Sequence, residues 1–499
     1  MPIQGIKSYI IVSCIVSHIV RHSAARGYVH GQRHRVDYRF IMSPDSLLLT
    51  LRQHRRRATA QLLAEFGVSR ATLMRAVRAA GASVLTIGRA RRTSYAARRL
   101  LRGSGAPLPV FRVDKQAGAE QAAELHLAYP DGCLLEYRSA LEWPLDADMR
   151  DGWFDGIPYP LQDLRPEGFL GRAFAHAHAA VLQVSEDPRA WSDDDVLHAL
   201  TLLGSDLSGN YIVGETAYRL WLEQLQRPLQ LVHDAQLAKT YPDLAQRAMH
   251  QGFEGSSAGG DFPKFTAVRE QGAEPVHVIV KFSGSDESPG TERWADLLVC
   301  EQLASQCVAS LPGLAAARSS IHRFSGRTFL EVERFDRHGA HGRSALCSWA
   351  AINNAWFGLS GRPWSEGAER LFERGLIASE TRDAITRLWL FGQLIGNTDM
   401  HDGNLSFVPG EPGLRLAPVY DMLPMLYAPQ RGVELPERQF AARLPLPSER
   451  ELWHQAARAA VDFWGCAGND ARISVDFREI CRRNERAIRD SASLPAATS

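Results

Sequence analysis

Apolar side chains recur at helical intervals within residues 59–80. They occupy Ala60, Leu63, Val68, Leu73 and Val77. Gly67 interrupts the pattern where two helices would meet, and such a turn often needs a residue that tolerates a positive φ. Ser69 is a favourable N-cap for the second helix. The pattern therefore predicts a helix-turn-helix.

A strand pattern follows this helix pair. Residues 83–99, SVLTIGRARRTSYAARR, are predicted to form a two-stranded wing that turns at Gly88. Residues 45–102 together are predicted to be a winged helix-turn-helix domain that binds DNA. The side chains predicted to face base edges from the second helix are Arg70, Thr72, Arg75 and Arg78. Those predicted to reach phosphates from the wing are Arg89, Arg91 and Arg92.

Charge is distributed unevenly along the chain, although the formal net charge is only +1. Residues 1–102 contain 19 Lys/Arg against three acidic residues, whereas the remainder contains 38 basic and 53 acidic residues. A basic head on an acidic body indicates that the head binds a polyanion. DNA is therefore favoured over two alternatives, a small helical hairpin used for docking and a merely solvated basic face.

Residues 1–44 are predicted to be a basic extension that precedes the first domain. Met42 begins Met-Ser-Pro-Asp, which is typical of a natural chain start, so residues 1–41 are interpreted as an upstream extension, with a mis-assigned start codon as one hypothesis. The apolar run at residues 9–20 is too short to span a bilayer. The seven cysteines form no C-x-x-C pair and are interpreted as reduced thiols. A cytoplasmic protein without a membrane partner is expected.

A Gly/Ser-rich segment at residues 103–105 predicts a linker between the head and a mixed α/β body. Strands are predicted within residues 126–138 and 277–284, and helices over residues 192–205 and 216–225. The Ser/Ala-rich end of the chain is predicted to be a flexible tail.

A Gly-rich loop precedes one of these strands. Residues 254–268, EGSSAGGDFPKFTAV, combine small residues with hydroxyl groups, a composition that lets backbone N–H groups approach phosphate oxygens. The following strand ends at Lys281, the arrangement in which kinases place a lysine on the nucleotide phosphates. Each feature is weak by itself, since flexible surface loops are often Gly-rich and edge strands often carry lysine.

The stretch IGNTDMHDGNLSF, residues 395–407, places Asp399 five residues before Asn404. The protein-kinase loop H-R-D-x-x-x-x-N has the same interval, in which the carboxylate orients and deprotonates a hydroxyl nucleophile and the amide oxygen ligates Mg²⁺. Asp421 follows a short apolar strand at hairpin distance and is the candidate for a second metal ligand. The joint pattern of loop, lysine, Asp-x4-Asn and aspartate predicts phosphoryl transfer.

The body resembles HipA-type serine/threonine kinases, the toxin components of bacterial toxin–antitoxin pairs. The motifs that carry the resemblance are GSSAGGDFPKF (255–265), VIVKF (278–282), FLEVERFDR (329–337), IGNTDMHDGN (395–404) and LAPVYDMLP (416–424). It covers roughly residues 160–480. The best-known HipA kinases lack an Arg-rich head, because a separate HipB antitoxin contributes their DNA binding. The combined layout resembles the YjjJ-type branch, in which a helix-turn-helix is fused to the kinase.

The resemblance implies a role for each matching residue. Asp399 would be the catalytic base, Asn404 and Asp421 the Mg²⁺ ligands, and Lys281 the phosphate contact. Further ATP contacts would come from Ser257, Ala258, Gly259, Glu333, Phe335 and Asp336. Autophosphorylation would fall on Ser256 or Ser257, where a phosphate of about −1.5 to −2 charge is incompatible with bound ATP. Arg334 and Arg337 are interpreted as ordinary surface charges, and His401 as an organiser of its loop.

The expected fold is α/β (α+β), a bilobal protein-kinase-like HipA fold with an N-terminal winged helix-turn-helix. Residues 106–332 are predicted to be the kinase N-lobe, 333–485 the helical C-lobe and 486–499 the tail. The expected activity is transfer of the ATP γ-phosphoryl group to a protein Ser/Thr hydroxyl, with ATP and Mg²⁺ as cofactors. The expected partners are promoter DNA, a protein phosphoacceptor such as a translation factor, and an antitoxin.

Two alternatives remain open at this point. The first is a transcription regulator whose kinase-like body only senses a nucleotide, although Asp399, Asn404 and Asp421 are all present rather than eroded. The second is a small-molecule kinase, since antibiotic and sugar kinases share the Asp-x4-Asn logic. The ERFDR and SSAGG segments favour the protein kinase.

Overall fold

The computed structural model describes residues 42–251, 262–272, 274–430, 434–435 and 437–493. The basic head consists of three helices and a small sheet of order β1-β3-β2. These elements are α1 (Pro44–Gln53), β1 (Arg57–Ala58), α2 (Thr59–Phe66), α3 (Arg70–Ala80), β2 (Val84–Ile87) and β3 (Ser94–Ala97). Gly67 ends α2 with a φ of +62°, and Ser69 caps α3 by accepting a hydrogen bond from Thr72 N. The helix pair and the antiparallel wing therefore lie where the sequence predicts them.

The head packs directly against the next part of the chain. The segment predicted to be a linker is a tight turn, in which Leu101 and Ser104 exchange backbone hydrogen bonds of 2.9 Å. Beyond the wing, Tyr129 N donates to Ala97 O, so the two sheets are joined by main-chain contacts. A shared core is formed by Leu85, Ile87, Ala96, Ala128 and Trp153. The head is therefore held against the middle domain by a shared apolar core, in addition to the covalent connection of the chain.

The middle domain (residues 108–225) is built on a five-stranded antiparallel sheet of order β7-β6-β5-β4-β8. Its strands are β4 (Leu108–Val113), β5 (Ala119–Ala128), β6 (Gly132–Tyr137), β7 (Trp153–Phe154) and β8 (Tyr211–Val213). Its helices are α4 (Ala147–Arg150), α5 (Tyr159–Gln162), α6 (Gly168–Leu182), α7 (Asp193–Leu203) and α8 (Glu215–Leu225). The strands predicted within 126–138 and the helices predicted over 192–205 and 216–225 all belong to this domain.

The sheet lobe (residues 231–333) contains a second five-stranded sheet, of order β12-β13-β11-β10-β9. Its elements are β9 (Leu231–Val232), α9 (Leu237–Gln251), β10 (Lys264–Gln271), β11 (Glu274–Phe282), α10 (Pro289–Ala309), β12 (Ser319–Phe324) and β13 (Arg327–Glu333). Residues 106–332, predicted to be one lobe, therefore contain two separate sheets. Alternating strand patterns do not reveal this, because they identify strands but not the sheet to which each strand belongs.

The helical lobe (residues 347–493) follows a short ribbon of β14 (Arg337–His338) and β15 (Gly342–Arg343). Its helices are α11 (Trp349–Trp356), α12 (Trp364–Glu373), α13 (Ser379–Leu394), α14 (Arg450–Asn469) and α15 (Val475–Ser493). A three-stranded sheet is formed by β16 (Cys347–Ser348), β17 (Ser406–Pro409) and β18 (Leu414–Leu416). The predicted tail beginning at residue 486 is wrong in its start, because α15 continues to Ser493 and buries Ile488 completely.

Two expectations about the chain as a whole concern membranes and thiols. No helix in the described part of the chain is long and apolar enough to cross a membrane. The described cysteines, which are all free, are Cys133, Cys300, Cys307, Cys347, Cys466 and Cys481. The predicted extension at residues 1–41 lies outside the described residues.

Candidate functional site

A cleft of about 1240 Å³ lies where the middle domain, the sheet lobe and the helical lobe meet. This volume exceeds the roughly 300–1,000 Å³ that is typical of small-ligand pockets. The cleft is lined, among other residues, by Lys281, Asp399, Asn404 and Asp421. The four side chains that the sequence selects for phosphoryl transfer are thus brought to one cavity, although they span 140 residues of chain.

Lys281 lies at the end of β11 and is held by a carboxylate from α10. Its Nζ donates hydrogen bonds of 2.7 and 2.9 Å to the two carboxylate oxygens of Glu301. Both side chains are buried, with exposures of 7% and 3%. This pair has the form of the lysine–glutamate ion pair of protein kinases. The sequence reasoning missed Glu301; the available signal was an acidic residue within the helix that follows the lysine strand.

The Asp399 loop (residues 397–405) closes on itself through side-chain amides. Asp399 N donates to Asn397 Oδ1 at 3.0 Å, and Asn404 Nδ2 donates to Asp399 O at 2.9 Å. The hydrogen bond between Asn404 and Asp399 spans the five-residue interval noted in the sequence, so this interval allows the side chain of Asn404 to close the loop. Asp399 itself is exposed, which leaves its carboxylate accessible to a hydroxyl group.

Neighbouring side chains brace the Asp399 loop. His401 Nδ1 accepts a hydrogen bond from Gly403 N, as expected of a residue that organises the loop. Asp402 is held by Asn353, whose Nδ2 donates to Asp402 Oδ2 at 3.0 Å. Tyr420 OH donates to Gly403 O at 2.8 Å, and burial raises its pKa, so the hydroxyl remains a donor. Asp402 thus supports the loop rather than standing alone in solvent.

Asp421 reaches the same point from the β17–β18 hairpin. Its backbone has a φ of +57°, a left-handed conformation that a non-glycine residue adopts at a cost of about 1–2 kcal/mol. Asn397 Nδ2 donates to Asp421 O at 3.4 Å, which ties this turn to the Asp399 loop. The carboxylate of Asp421 also contacts Lys281 Nζ. Strained backbone of this kind is often found at functional sites, where it orients a side chain.

The segment predicted to bind adenine and ribose borders the cleft. Glu333, Phe335 and Asp336 do not line the described cleft. The N–H of Glu333 donates to Arg318 O within the sheet, and Phe335 packs near Tyr420 with ring centroids 6.0 Å apart. The structure therefore brings Lys281 and the Asp399 loop together in the cleft, and this segment meets the cleft through the packing of Phe335 on Tyr420.

Asp336 is buried and fully engaged. Its carboxylate accepts hydrogen bonds from both Arg334 and Arg337, and from Gly209 N at 2.9 Å. Burial alone would raise the pKa of Asp336, but the two guanidiniums hold it well below its ordinary value. The interpretation of Arg334 and Arg337 as surface charges is wrong, because only 12% and 3% of their side chains are exposed. The sequence does not distinguish a buried charged residue from an exposed one here, because its burial depends on tertiary packing.

The Gly-rich loop is known only from its flanks. Ser256, Ser257, Ala258 and Gly259 lie outside the described residues. The chain resumes with Phe262 and Lys264, which both line the cleft. Lys281 Nζ lies 6.0 Å from the centre of the Phe262 ring. The loop therefore re-enters the fold beside the predicted phosphate-contacting lysine.

The head presents most of its predicted DNA-contacting side chains to solvent. The exposed arginines are Arg70, Arg75, Arg78, Arg89 and Arg91. Thr72 is half-buried and contacts Ser69 and Arg75. Arg92 is exposed as well, with 53% of its side chain accessible, but its Nε donates to Asp151 of the middle domain at 2.7 Å and its Nη2 donates to Ala147 O at 2.6 Å. The structure thus assigns Arg92 to the contact between the head and the middle domain.

Comparison with known proteins agrees with this architecture. A family model described as HipA-like C-terminal domain matches residues 256–489, and another described as YjjJ-like toxin, middle domain matches residues 104–222. The body is therefore that of a HipA-like toxin protein with a kinase-like fold. Toxin YjjJ of Escherichia coli (strain K12) is 38% identical over 435 residues, which cover 87% of this chain and 95% of that protein. The chain belongs to the YjjJ-like toxin family, as the sequence motifs indicated.

Two solved structures also match this chain, with TM-scores below 0.5. One is HipA of Shewanella oneidensis MR-1, in a complex of HipA, HipB and operator DNA, with a TM-score of 0.48, 14% identity and coverage of 77% of this chain and 96% of that chain. The other is the Helicobacter pylori proinflammatory kinase CtkA, with a TM-score of 0.33, 15% identity and coverage of 46% of this chain and 90% of that chain.

Proposed function

We propose that this protein is a toxin kinase that transfers the γ-phosphoryl group of ATP to a Ser or Thr hydroxyl of a protein. The observation that carries the proposal is the convergence of the Lys281–Glu301 pair, Asp399, Asn404 and Asp421 on one cleft. A nucleotide-sensing body without catalysis would need the lysine pair but not an exposed carboxylate at Asp399. The complete set of groups therefore favours catalysis over sensing.

Each side chain has a chemical task in this proposal. Asp399 orients the acceptor hydroxyl and takes its proton. Asn404 and Asp421 offer the amide and carboxylate oxygens that Mg²⁺ prefers, so these residues fit that ion. When bound, Mg²⁺ supplies positive charge that offsets the charge of the phosphates. Lys281, held by Glu301, offers its ammonium as a hydrogen-bond donor to a phosphate oxygen of the nucleotide.

Self-modification is a second part of the proposal. The Gly-rich loop carries Ser256 and Ser257 and re-enters the fold beside Lys281. A phosphoserine there would repel the phosphates of ATP and switch the kinase off. The cellular target is proposed to be another protein, and a translation factor is one candidate that the toxin family suggests.

The test is incubation of the purified protein with Mg·ATP, followed by phosphosite mass spectrometry, beside Asp399→Asn. Phosphate on Ser256 or Ser257 only in the parent is the expected result, because the amide cannot accept the hydroxyl proton. An Asp399→Asn variant that transfers phosphate at the parental rate would contradict the mechanism. Offering proteins and metabolites as separate acceptors distinguishes a protein kinase from a small-molecule kinase.

DNA binding by the head is proposed on a separate observation. Arg70, Arg75 and Arg78 are exposed along α3, and Arg89 and Arg91 are exposed on the wing. Such a face neutralises phosphates while the start of α3 meets base edges. A gel-shift experiment with the chain's own promoter region at low salt tests this proposal. A lack of binding there would exclude autoregulation through the head, and a separate antitoxin would then be the expected DNA-binding partner.

A further inference from the structure

A contact between the middle domain and the helical lobe lies behind the Asp399 loop. Asp163 follows α5 and uses both of its carboxylate oxygens on one residue, 185 positions away in the chain. Its Oδ2 accepts a hydrogen bond from Ser348 N, and its Oδ1 accepts one from Ser348 Oγ, both at 2.5 Å. Ser348 is only 7% exposed. Burial raises the pKa of Asp163, and the hydrogen bonds from Ser348 oppose that rise by stabilising the carboxylate.

Ser348 is connected to the Asp399 loop by two routes. The first runs through the backbone, because the next residue, Trp349, donates from its N–H to Leu405 O at 2.7 Å. The second runs through α11, which Ser348 caps and which carries Asn353. Asn353 is 1% exposed and holds Asp402 of the loop at 3.0 Å. Asp163 therefore fixes the residue from which both supports of the loop begin.

We propose that Asp163 is a positioning residue through which the middle domain holds the Asp399 loop in the geometry that phosphoryl transfer needs. This inference rests on the proposed kinase function. Asp163 and Ser348 both line the cleft, and each carboxylate oxygen of Asp163 accepts a hydrogen bond from Ser348, so the role proposed for Asp163 is to hold Ser348 in place. Displacing a reacting group by about 1 Å can slow an enzyme by about 100-fold. A residue that supports the Asp399 loop without touching the substrate can therefore control the rate.

The experiment measures kcat and KM for Mg·ATP in the full-length protein with four substitutions. Asp163→Ala removes both hydrogen bonds and is expected to lower kcat by about 10- to 100-fold while KM changes by less than about threefold. Asp163→Asn keeps an oxygen for Ser348 N and is expected to recover most of kcat. Ser348→Ala loses the hydroxyl bond to Asp163 and also the cap on Ala351 N, but keeps the bond from Ser348 N, and is expected to fall between the two.

Tyr159→Phe is the matched control. Tyr159 lies in α5, is 1% exposed and donates from its hydroxyl to Pro144 O at 2.7 Å, entirely within the middle domain. Its removal costs a buried hydrogen bond in the same helix but breaks no route to the Asp399 loop. Its kcat is expected to equal that of the parent. If Tyr159→Phe and Asp163→Ala lost kcat equally, the effect would be general damage to α5, and the positioning role would be rejected.

Hydrogen exchange of the amides in residues 397–405 gives a readout that does not require catalysis. Asp163→Ala is expected to accelerate exchange there, whereas Tyr159→Phe is expected to match the parent. Parental kcat and parental exchange in Asp163→Ala would overturn the inference even if the kinase is active. An inactive parent would refute the proposed function, and the exchange data would still decide whether Asp163 supports the loop. Should Asp163→Ala fail to fold, Asp163→Asn and Ser348→Ala decide through the same two measurements.

Discussion

The buried pair of Lys281 and Glu301 allows a quantitative prediction. Glu301→Gln keeps the size of the side chain and one acceptor oxygen but removes the charge that balances Lys281. Removing one partner of a buried ion pair costs about 3–5 kcal/mol, and the retained hydrogen bond places this substitution at the lower end, about 3 kcal/mol. The small exposures of 7% and 3% justify the use of the buried value.

The expected effect on activity depends on which carboxylate Lys281 contacts after the substitution. Its Nζ also contacts the carboxylate of Asp421, the proposed metal ligand. Without the negative charge of Glu301, Lys281 is attracted more strongly to the carboxylate of Asp421. The lysine then competes with Mg²⁺ for that carboxylate. If the full 3 kcal/mol is lost from transition-state stabilisation, kcat/KM for Mg·ATP falls on the order of 100-fold.

The assay is the initial rate of phosphate incorporation over a range of Mg·ATP concentrations, with Ser305→Ala as the control. Ser305 Oγ donates to Glu301 O at 2.9 Å one turn along α10, so its loss perturbs the helix without touching the ion pair. Its kcat/KM is expected to stay within about threefold of the parent. A Glu301→Gln variant that also stays within threefold would refute the role assigned to the pair.

Two further predictions concern pH and salt. Burial raises the pKa of Asp296 to about 6 despite hydrogen bonds from Ser474, so the folded state retains a proton that the unfolded state releases near pH 3.8. The unfolding free energy should therefore fall by about 2 kcal/mol as pH rises from about 4 to about 6. Denaturation of Asp296→Asn should not show this loss, and parallel pH profiles of the two proteins would contradict the prediction. Asp151→Asn should free Arg92 for a phosphate, so the slope of the logarithm of the DNA-binding constant against the logarithm of salt concentration should become steeper by about 0.9. The surface control Asp187→Asn should leave the slope unchanged, and an unchanged slope in Asp151→Asn would exclude Arg92 from the DNA contact.

The local conformation of the candidate site could be predicted where its residues lie close together in the chain. The interval between Asp399 and Asn404 sets the loop, and a single hydrogen bond of 2.9 Å closes it. Lys281 and Asp421 are similarly recognisable, because each lies at or beyond the end of a short apolar strand. In the head, helical spacing and Gly67 suffice to locate the helix pair. These features depend on backbone periodicity and on short loops, which are local properties of the chain.

Tertiary structure decides which distant residues meet. Glu301 has no sequence feature that distinguishes it from the other acids of α10, and Asp163 is selected only by its contact with Ser348. The burial of Arg334 and Arg337 and the division of residues 106–332 into two sheets were likewise hidden. Burial and pairing between distant segments are set by how whole layers pack, and the same local pattern is compatible with several such packings. The chain alone therefore determines which side chains are candidates for the site, and the fold determines what holds them in place.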